Sequence, residues 1–257
     1  MASDELVTKF RMICEDEPVE HLRRLLKKET IDVNMKFDDG WTPLMITNGL
    51  GKPLCTYELL DYGADPNTSV NGTTALCDAV FYEHYQCVDH LLGFGANLDI
   101  PDENGDTPLH LACQLKNDVF VRLLLNNGAD PNIRNKMGIT PMHKLLLHRF
   151  DEEESMKDVT LSLECCLRHL LNKGGDPMKK DPDGNTFMQI VTQHLQYEYS
   201  YPALVEALKE CQKLINEHMA STRKKRARVE VVEDEEELEE GEVVLKVEPT
   251  AKRGRSE

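Results

Sequence analysis

The residues in this sequence that could do chemistry are its cysteines and histidines, and their spacing limits what that chemistry could be. The eight cysteines are dispersed and none forms a Cys-x-x-Cys pair. Cys165 and His169 are four residues apart in a predicted helix, a spacing compatible with a shared metal ion, but two ligands do not make a zinc site. We therefore predict no metal centre. We interpret the cysteines as small core residues of a protein that resides in a reducing compartment.

Two histidines, His110 and His143, each stand in a Thr-Pro-x-His sequence, and no catalytic set accompanies them. The chain has no phosphate-binding loop, nucleophile motif or Ser/His/Asp arrangement. We therefore predict that the protein is not an enzyme and holds no cofactor.

Charged blocks distinguish the end of the chain, after Ala220. An acidic run at 233–242 follows a basic run that resembles a nuclear localisation signal, formed by Arg223, Lys224, Lys225, Arg226 and Arg228. Because such blocks cannot build a hydrophobic core, residues 221–257 are predicted to be a disordered tail. The basic run could instead tether nucleic acid or contact the acidic remainder of the chain.

A modification motif lies in the same tail. Leu245-Lys246-Val247-Glu248 resembles the SUMO acceptor motif, in which an aliphatic residue precedes Lys-x-Glu. A disordered segment would leave the lysine accessible, so Lys246 is a candidate acceptor.

The elements that must position these residues follow a repeat of about 33 residues. Its turn glycines are 32, 33, 33 and 46 residues apart, and each opens a copy of one start: Gly40-Trp41-Thr42-Pro43-Leu44, Gly72-Thr73-Thr74-Ala75-Leu76, Gly105-Asp106-Thr107-Pro108-Leu109, Gly138-Ile139-Thr140-Pro141-Met142 and Gly184-Asn185-Thr186-Phe187-Met188. Threonine suits the N-cap of a helix and proline its first turn. Apolar residues then recur at three- and four-residue spacing, so each repeat is predicted to form a pair of helices that must stack on its neighbours.

This period and the Thr-Pro-Leu-His start resemble the ankyrin repeat over roughly residues 36–190. The resemblance implies an all-α solenoid of helix pairs joined by β-hairpin fingers, with a concave protein-binding face. We divide the chain into an N-terminal capping repeat (1–35), repeats starting near 39, 71, 104, 137 and 183 (36–200, with an insertion at 149–158), a capping helix (201–220) and the tail (221–257).

Helical spacing also predicts the core of the central repeat. Its members are Leu109, Leu111, Ala112, Val119, Phe120, Leu123 and Leu124.

The partner-binding residues are predicted from their places beside the turn glycines. They are Asp38, Asp39 and Trp41; Val70, Asn71 and Thr73; Glu103, Asn104 and Asp106; and Lys136, Met137 and Ile139. Trp41 is the only tryptophan, and it would either anchor a partner or pack on the neighbouring finger.

Asn34 follows Leu26 by eight positions and Asp32-Val33 directly. This resembles the pattern that asparaginyl hydroxylases use on ankyrin hairpins, so Asn34 is a candidate hydroxylation site; the alternative is an asparagine that stabilises a turn.

The net charge of −16 disfavours nucleic acid and favours a partner protein with a basic segment. With an acidic N-terminus and no apolar run of membrane-spanning length, the protein is expected to be made in the cytosol, without a transmembrane span. We predict a nuclear scaffold in transcriptional or chromatin regulation that shuttles through an import receptor. The alternatives are an inhibitor of a transcription factor of the kappa-B inhibitor type, a substrate receptor of a ubiquitin ligase, and nucleic-acid tethering through the basic tail.

Overall fold

A buried threonine begins the first helix of each central repeat. Thr42 Oγ1 accepts a hydrogen bond from the Met45 N–H at 3.3 Å, and Thr74 Oγ1 accepts one from the Cys77 N–H at 3.2 Å. In the next repeat, Thr107 forms a reciprocal capping box with the His110 side chain. These bonds satisfy backbone donors that have no partner within the helix, so the threonines fix where each helix starts.

The computed structural model describes residues 4–16, 18–28, 31–70, 72–147, 156–196 and 205–224. The helices are α1 (Asp4–Asp16), α2 (Val19–Lys28), α3 (Pro43–Gly49), α4 (Pro53–Asp61), α5 (Ala75–Phe81), α6 (Tyr85–Gly93), α7 (Pro108–Gln114), α8 (Asp118–Asn126), α9 (Pro141–Leu147), α10 (Met156–Asn172) and α11 (Phe187–Gln196). Residues 205–224 are also helical. The chain forms two units, residues 1–212 and 213–257, and helices α1 to α11 lie in the first. None of the described helices is long and apolar enough to cross a membrane.

Within this unit the helices stack in two rows. Each odd-numbered helix from α1 to α9 contacts the next odd-numbered one, which gives a continuous inner row ending at α11. The second helices of the repeats pack behind them, α2 against α4, α4 against α6, and α8 against α10. This arrangement confirms the predicted solenoid of helix pairs.

The segments that lead into the inner helices are the fingers. One is a two-stranded antiparallel hairpin, β1 (Ser69–Val70) with β2 (Thr73–Thr74), in which Val70 pairs with Thr73. In the fingers before α3, α7 and α9, the turn glycine N–H donates to the carbonyl three residues earlier, and a second backbone hydrogen bond closes the finger, from Phe37 N to Trp41 O (2.9 Å), Asp102 N to Asp106 O (2.8 Å) and Asn135 N to Ile139 O (2.9 Å). The fingers are therefore short and tight, and they bring the residues beside each turn glycine to one edge of the stack.

The predicted core is correct on α7 and partly wrong on α8. Leu109, Ala112 and Leu124 are fully buried. However, Val119 is 38% exposed and Leu123 is only half-buried. The side chain of Asn117 caps the helix by accepting from Phe120 N, and the buried residues of α8 are Phe120, Val121, Leu124 and Leu125.

Candidate functional site

A ladder of asparagine side chains fixes the loops that follow the outer helices. Asn34 Oδ1 accepts from the Asp65 N–H at 2.7 Å, and Asn34 Nδ2 donates to the Gly63 carbonyl at 3.1 Å. The equivalent bonds further along the stack join Asn67 to Asn97 and Asn132 to Asp176. The side-chain amide of Asn34 thus links two repeats, which is the turn-stabilising role; its hydroxylation stays a prediction.

Neighbouring fingers touch through their turn glycines. Gly105 has φ +81°, and a Cβ there would lie 2.5 Å from the backbone nitrogen of Lys136. A Cβ on Gly72 would lie 2.8 Å from the backbone nitrogen of Glu103. Because no side chain fits between them, the fingers form a nearly continuous edge instead of separate projections.

His110 joins two fingers from beneath. Its Nδ1 accepts from the Thr107 N–H at 3.1 Å, which leaves Nε2 as the donor to the Ile139 carbonyl at 3.0 Å. Burial lowers the pKa of His110, so the ring is neutral and keeps this tautomer. The imidazole therefore ties adjacent turns together, as the resemblance implied for this position.

Two grooves open between the fingers and the inner helices. We call the first the central groove; it has a volume of about 380 Å³ and is lined by Thr73, Cys77, Asp78, Phe81, Tyr82, Asp102, Asn104, Asp106, Leu111, Gln114, Met137 and Lys144. We call the second the N-terminal groove; it has a volume of about 510 Å³ and is lined by Arg11, Glu15, Asp16, Asp39, Trp41, Ile46, Gly49, Leu50 and Tyr82. Tyr82 lines both, so the grooves are neighbours along one surface.

The central groove contains two exposed aromatic rings and an ion pair. Phe81 and Tyr82 are 49% and 54% exposed, and their rings meet at 87° with centroids 5.1 Å apart. Lys144 is already engaged, because its Nζ donates to Asp106 Oδ2 at 2.6 Å and to Gln114 Oε1 at 3.3 Å.

Asp78, unlike Asp106, has no ion-pair partner among the described residues. It lies on α5, is 8% exposed, and its Oδ2 is buried without a hydrogen-bond partner among the described residues. Burial alone raises the pKa of Asp78 to about 7, since no hydrogen bond or neighbouring cation offsets it.

In the N-terminal groove, Arg11 is paired with two carboxylates. Arg11 bonds to Glu15 and to Asp39, each at 2.7 Å, and its guanidinium lies 5.3 Å from the centre of the Phe37 ring. Trp41 is half-buried beside this cluster and lies against α3, where a Cβ on Gly49 would be 3.8 Å from its ring.

Of the predicted partner-binding residues, the structure brings several to the grooves. Asp39 and Trp41 line the N-terminal groove, whereas Thr73, Asn104, Asp106 and Met137 line the central groove. Asp106 itself is buried.

The other finger residues lie outside both grooves. Lys136 Nζ donates to the Glu103 carbonyl at 2.8 Å, and Val70 lies beside Gly40 of the preceding finger. Ile139 is buried and Asp38 is exposed. Asn71 falls outside the described residues.

Sequence reasoning did not select Asp78, Phe81, Tyr82, Lys144 or Arg11 as site residues. The sequence does mark Asp78 as unusual, because Cys77-Asp78 stands where the next two repeats carry His110-Leu111 and His143-Lys144.

The tail predictions fall mostly beyond the described part of the chain. Arg223 and Lys224 are exposed at the end of the helical stretch 205–224. Lys225, Arg226, Arg228 and Lys246 lie outside the described residues, as do residues 149–155 of the predicted insertion.

The cysteines are free thiols, and seven of them are buried. Burial raises the pKa of Cys77 to about 11, so this thiol is neutral and unreactive at physiological pH. Cys165 is half-buried on α10, which also carries His169. Within the described ranges, no group of three or more metal-ligating side chains comes together.

The family follows from comparison with known proteins. A family model described as "Ankyrin repeats (3 copies)" matches residues 11–102 and 79–152, together more than half of the chain. The chain belongs to the ankyrin-repeat family. Ankyrin repeats indicate a protein–protein interaction scaffold, and ankyrin-repeat proteins are generally non-enzymatic.

Curated relatives resemble this ankyrin chain over part of their length. Human "Ankyrin repeat and SOCS box protein 16" is 35% identical over 102 residues, which cover 39% of this chain and 22% of the relative. "Putative ankyrin repeat protein FPV031" of fowlpox virus is 36% identical over 128 residues, which cover 46% of this chain and 38% of the relative.

A solved structure shares the same fold. The ankyrin repeat domain ABAYE2397 from Acinetobacter baumannii superposes with a TM-score of 0.68 at 20% identity, covering 82% of this chain and 97% of that domain.

Proposed function

We propose that this ankyrin protein is a nuclear scaffold in transcriptional or chromatin regulation, and that its two grooves bind a basic segment of a partner protein. The observation that carries the proposal is the combination lining one surface: three exposed or half-exposed aromatic residues, Trp41, Phe81 and Tyr82, beside the carboxylates of the fingers. Aromatic side chains anchor interfaces, and carboxylates steer basic partners and make the on-rate salt-sensitive.

Charge supports the polarity of the partner. The whole chain carries −16, and Lys144 and Arg11, the described cations lining the grooves, are paired with carboxylates. A basic segment would therefore meet little repulsion on this surface.

Partner capture tests the binding surface. Full-length protein carrying Trp41→Ala and Glu103→Lys should lose capture of its partner from nuclear extract, because one change removes an anchor and the other reverses an exposed finger charge. The melting temperature should change little. A matched control carries Tyr57→Ala and Asp89→Lys, one aromatic and one exposed carboxylate on the outer helices α4 and α6. Unchanged affinity in the Trp41→Ala, Glu103→Lys variant would place binding elsewhere.

Nuclear import tests the proposed compartment. Replacing Lys224, Lys225, Arg226 and Arg228 by alanine should leave the fold intact and shift the protein to the cytoplasm, because an import receptor reads a dense basic run. The chain should be fused to a large reporter, since a 29.3 kDa protein can diffuse through nuclear pores. Nuclear accumulation equal to that of the unaltered fusion would reject this signal.

A further inference from the structure

The central groove contains a buried carboxylate that the fold leaves without a partner. Asp78 is more than nine-tenths buried and lines the groove, so its small exposed part faces the groove. Neither a hydrogen bond nor an ion pair reaches its carboxyl among the described residues. Buried charged groups are normally paired, and each unsatisfied one calls for an explanation.

The surroundings of Asp78 do not supply the missing partner. Lys144, the described cation that lines this groove, is held by Asp106 and Gln114. Asp102 accepts hydrogen bonds from the backbone of its own finger, from Asn104 N at 2.8 Å and Asp106 N at 2.7 Å. Among the described residues that line the groove, no positive charge is therefore available to pair with Asp78. A cation from a partner molecule would supply that charge.

The aromatic rings beside Asp78 indicate which cationic side chain the groove would bind best. Phe81 and Tyr82 follow Asp78 by three and four residues, about one helical turn, and present half-exposed rings at the same groove. A guanidinium is planar and stacks on aromatic faces, whereas an ammonium is a compact, strongly hydrated charge. The groove therefore suits arginine better than lysine.

We propose that the central groove is a receptor for one arginine side chain of a partner segment, with Asp78 bonding the guanidinium and Phe81 and Tyr82 covering its plane. This deepens the proposed function, because it names the residue of the basic segment that the groove selects. An arriving guanidinium would also replace the proton that burial otherwise keeps on Asp78.

The test uses defined peptide pools and the full-length protein. Three fluorescein-labelled ten-residue pools have degenerate positions around a fixed central arginine, lysine or citrulline, and binding is measured by fluorescence anisotropy. Citrulline keeps the shape of arginine without its charge. The arginine pool should bind about tenfold or more tightly than the citrulline pool, and more tightly than the lysine pool.

Two variants assign the preference to this groove. Asp78→Asn should lower the affinity for the arginine pool about tenfold and leave the citrulline pool unchanged. Tyr82→Ala, at a residue 54% exposed, should also weaken arginine binding and keeps the test valid if Asp78→Asn misfolds. Asp89→Asn removes one charge from the exposed face of α6 and should leave all three affinities unchanged.

The outcomes separate this proposal from the proposed function. If the arginine and lysine pools bind with equal affinity, and neither Asp78→Asn nor Tyr82→Ala weakens binding, the arginine receptor is rejected while binding of basic segments stands. If none of the pools binds the unaltered protein, both are rejected. An arginine preference that disappears with Asp78→Asn or Tyr82→Ala supports the receptor.

Discussion

The two grooves share one framework and differ in how their carboxylates are satisfied. In the N-terminal groove, Asp39 has a partner within the fold, because Arg11 bonds to it at 2.7 Å. In the central groove, Asp78 has none among the described residues. The first groove therefore offers a compensated charge beside Trp41, and the second offers an unpaired carboxyl group beside Phe81 and Tyr82. We infer that apolar contact governs binding in the first and charge governs selectivity in the second.

Both grooves should rest on equally packed inner helices. Truncation of buried leucines in these helices tests this and has the largest expected effect. Leu44 on α3 and Leu109 on α7 lie in the inner row that floors the grooves and are 2% and 0% exposed. Replacing either by alanine should lower the free energy of unfolding by about 2–5 kcal/mol, as buried leucine truncations do. Denaturant melts provide the measurement, and Leu54→Ala, at a residue 61% exposed, is the control. A loss below about 0.5 kcal/mol for Leu109→Ala would show that the repeat register is wrong.

The two carboxylates should respond oppositely to removal of their charge. The raised pKa of Asp78 means that the unfolded chain releases this proton at lower pH than the folded protein, so Asp78 lowers stability as pH rises from about 4 to about 7. Relative to the unaltered protein, Asp78→Asn should therefore gain about 2–3 kcal/mol between pH 5 and pH 8. Asp78→Asn keeps the other charged groups of this groove, which are the Asp106–Lys144 ion pair and Asp102. Their contribution to the pH dependence is therefore present in both proteins.

Asp39→Asn is the matched variant. Because the Arg11–Asp39 pair is partly exposed, its loss should lower stability by less than about 1 kcal/mol. Burial alone would raise the pKa of Asp39, but its bonds from Arg11 and the Trp41 N–H outweigh this and lower the pKa. The effect should therefore be the same at pH 5 and pH 8, both above the titration range. Equal pH dependence in the two variants, measured by thermal melts, would contradict the contrast between the grooves.

Removing the internal partner should make the first groove resemble the second. Arg11→Gln frees Asp39 and Glu15, so affinity for the arginine peptide pool should rise about two- to threefold, an amount typical of an exposed ion pair. Fluorescence anisotropy with Arg11→Gln and with the Arg11→Gln, Asp39→Asn double variant measures this. A gain that persists in the double variant would not come from Asp39.

The repeat framework could be predicted from the sequence because it depends on local signals. Threonine, proline and glycine at fixed spacing determine where the inner helices begin, and the structure places these helices accordingly. The buried face of α8 was predicted less well, since helical spacing alone does not determine which neighbours cover Val119 and Leu123.

The unpaired carboxylate could not be predicted as unpaired. Sequence shows that Asp78 stands where the next repeat carries Leu111, but whether a cation reaches it depends on contacts between repeats. Lys144 is 38 residues from its partner Asp106, and nothing in the local sequence indicates that it bonds there instead of to Asp78. The same holds for Arg11, which comes from the first helix to bond the finger carboxylate Asp39.

The most direct test of the binding surface is photo-crosslinking from two tyrosine positions. Benzoylphenylalanine replaces either Tyr82, which lines both grooves, or Tyr57 on the outer helix α4; these residues are 54% and 42% exposed. After irradiation in nuclear extract, the probe at position 82 should give a discrete adduct that disappears with Trp41→Ala and Glu103→Lys, and the probe at position 57 should give none. An adduct at position 57 without one at position 82 would contradict the assignment of the grooves as the partner-binding surface.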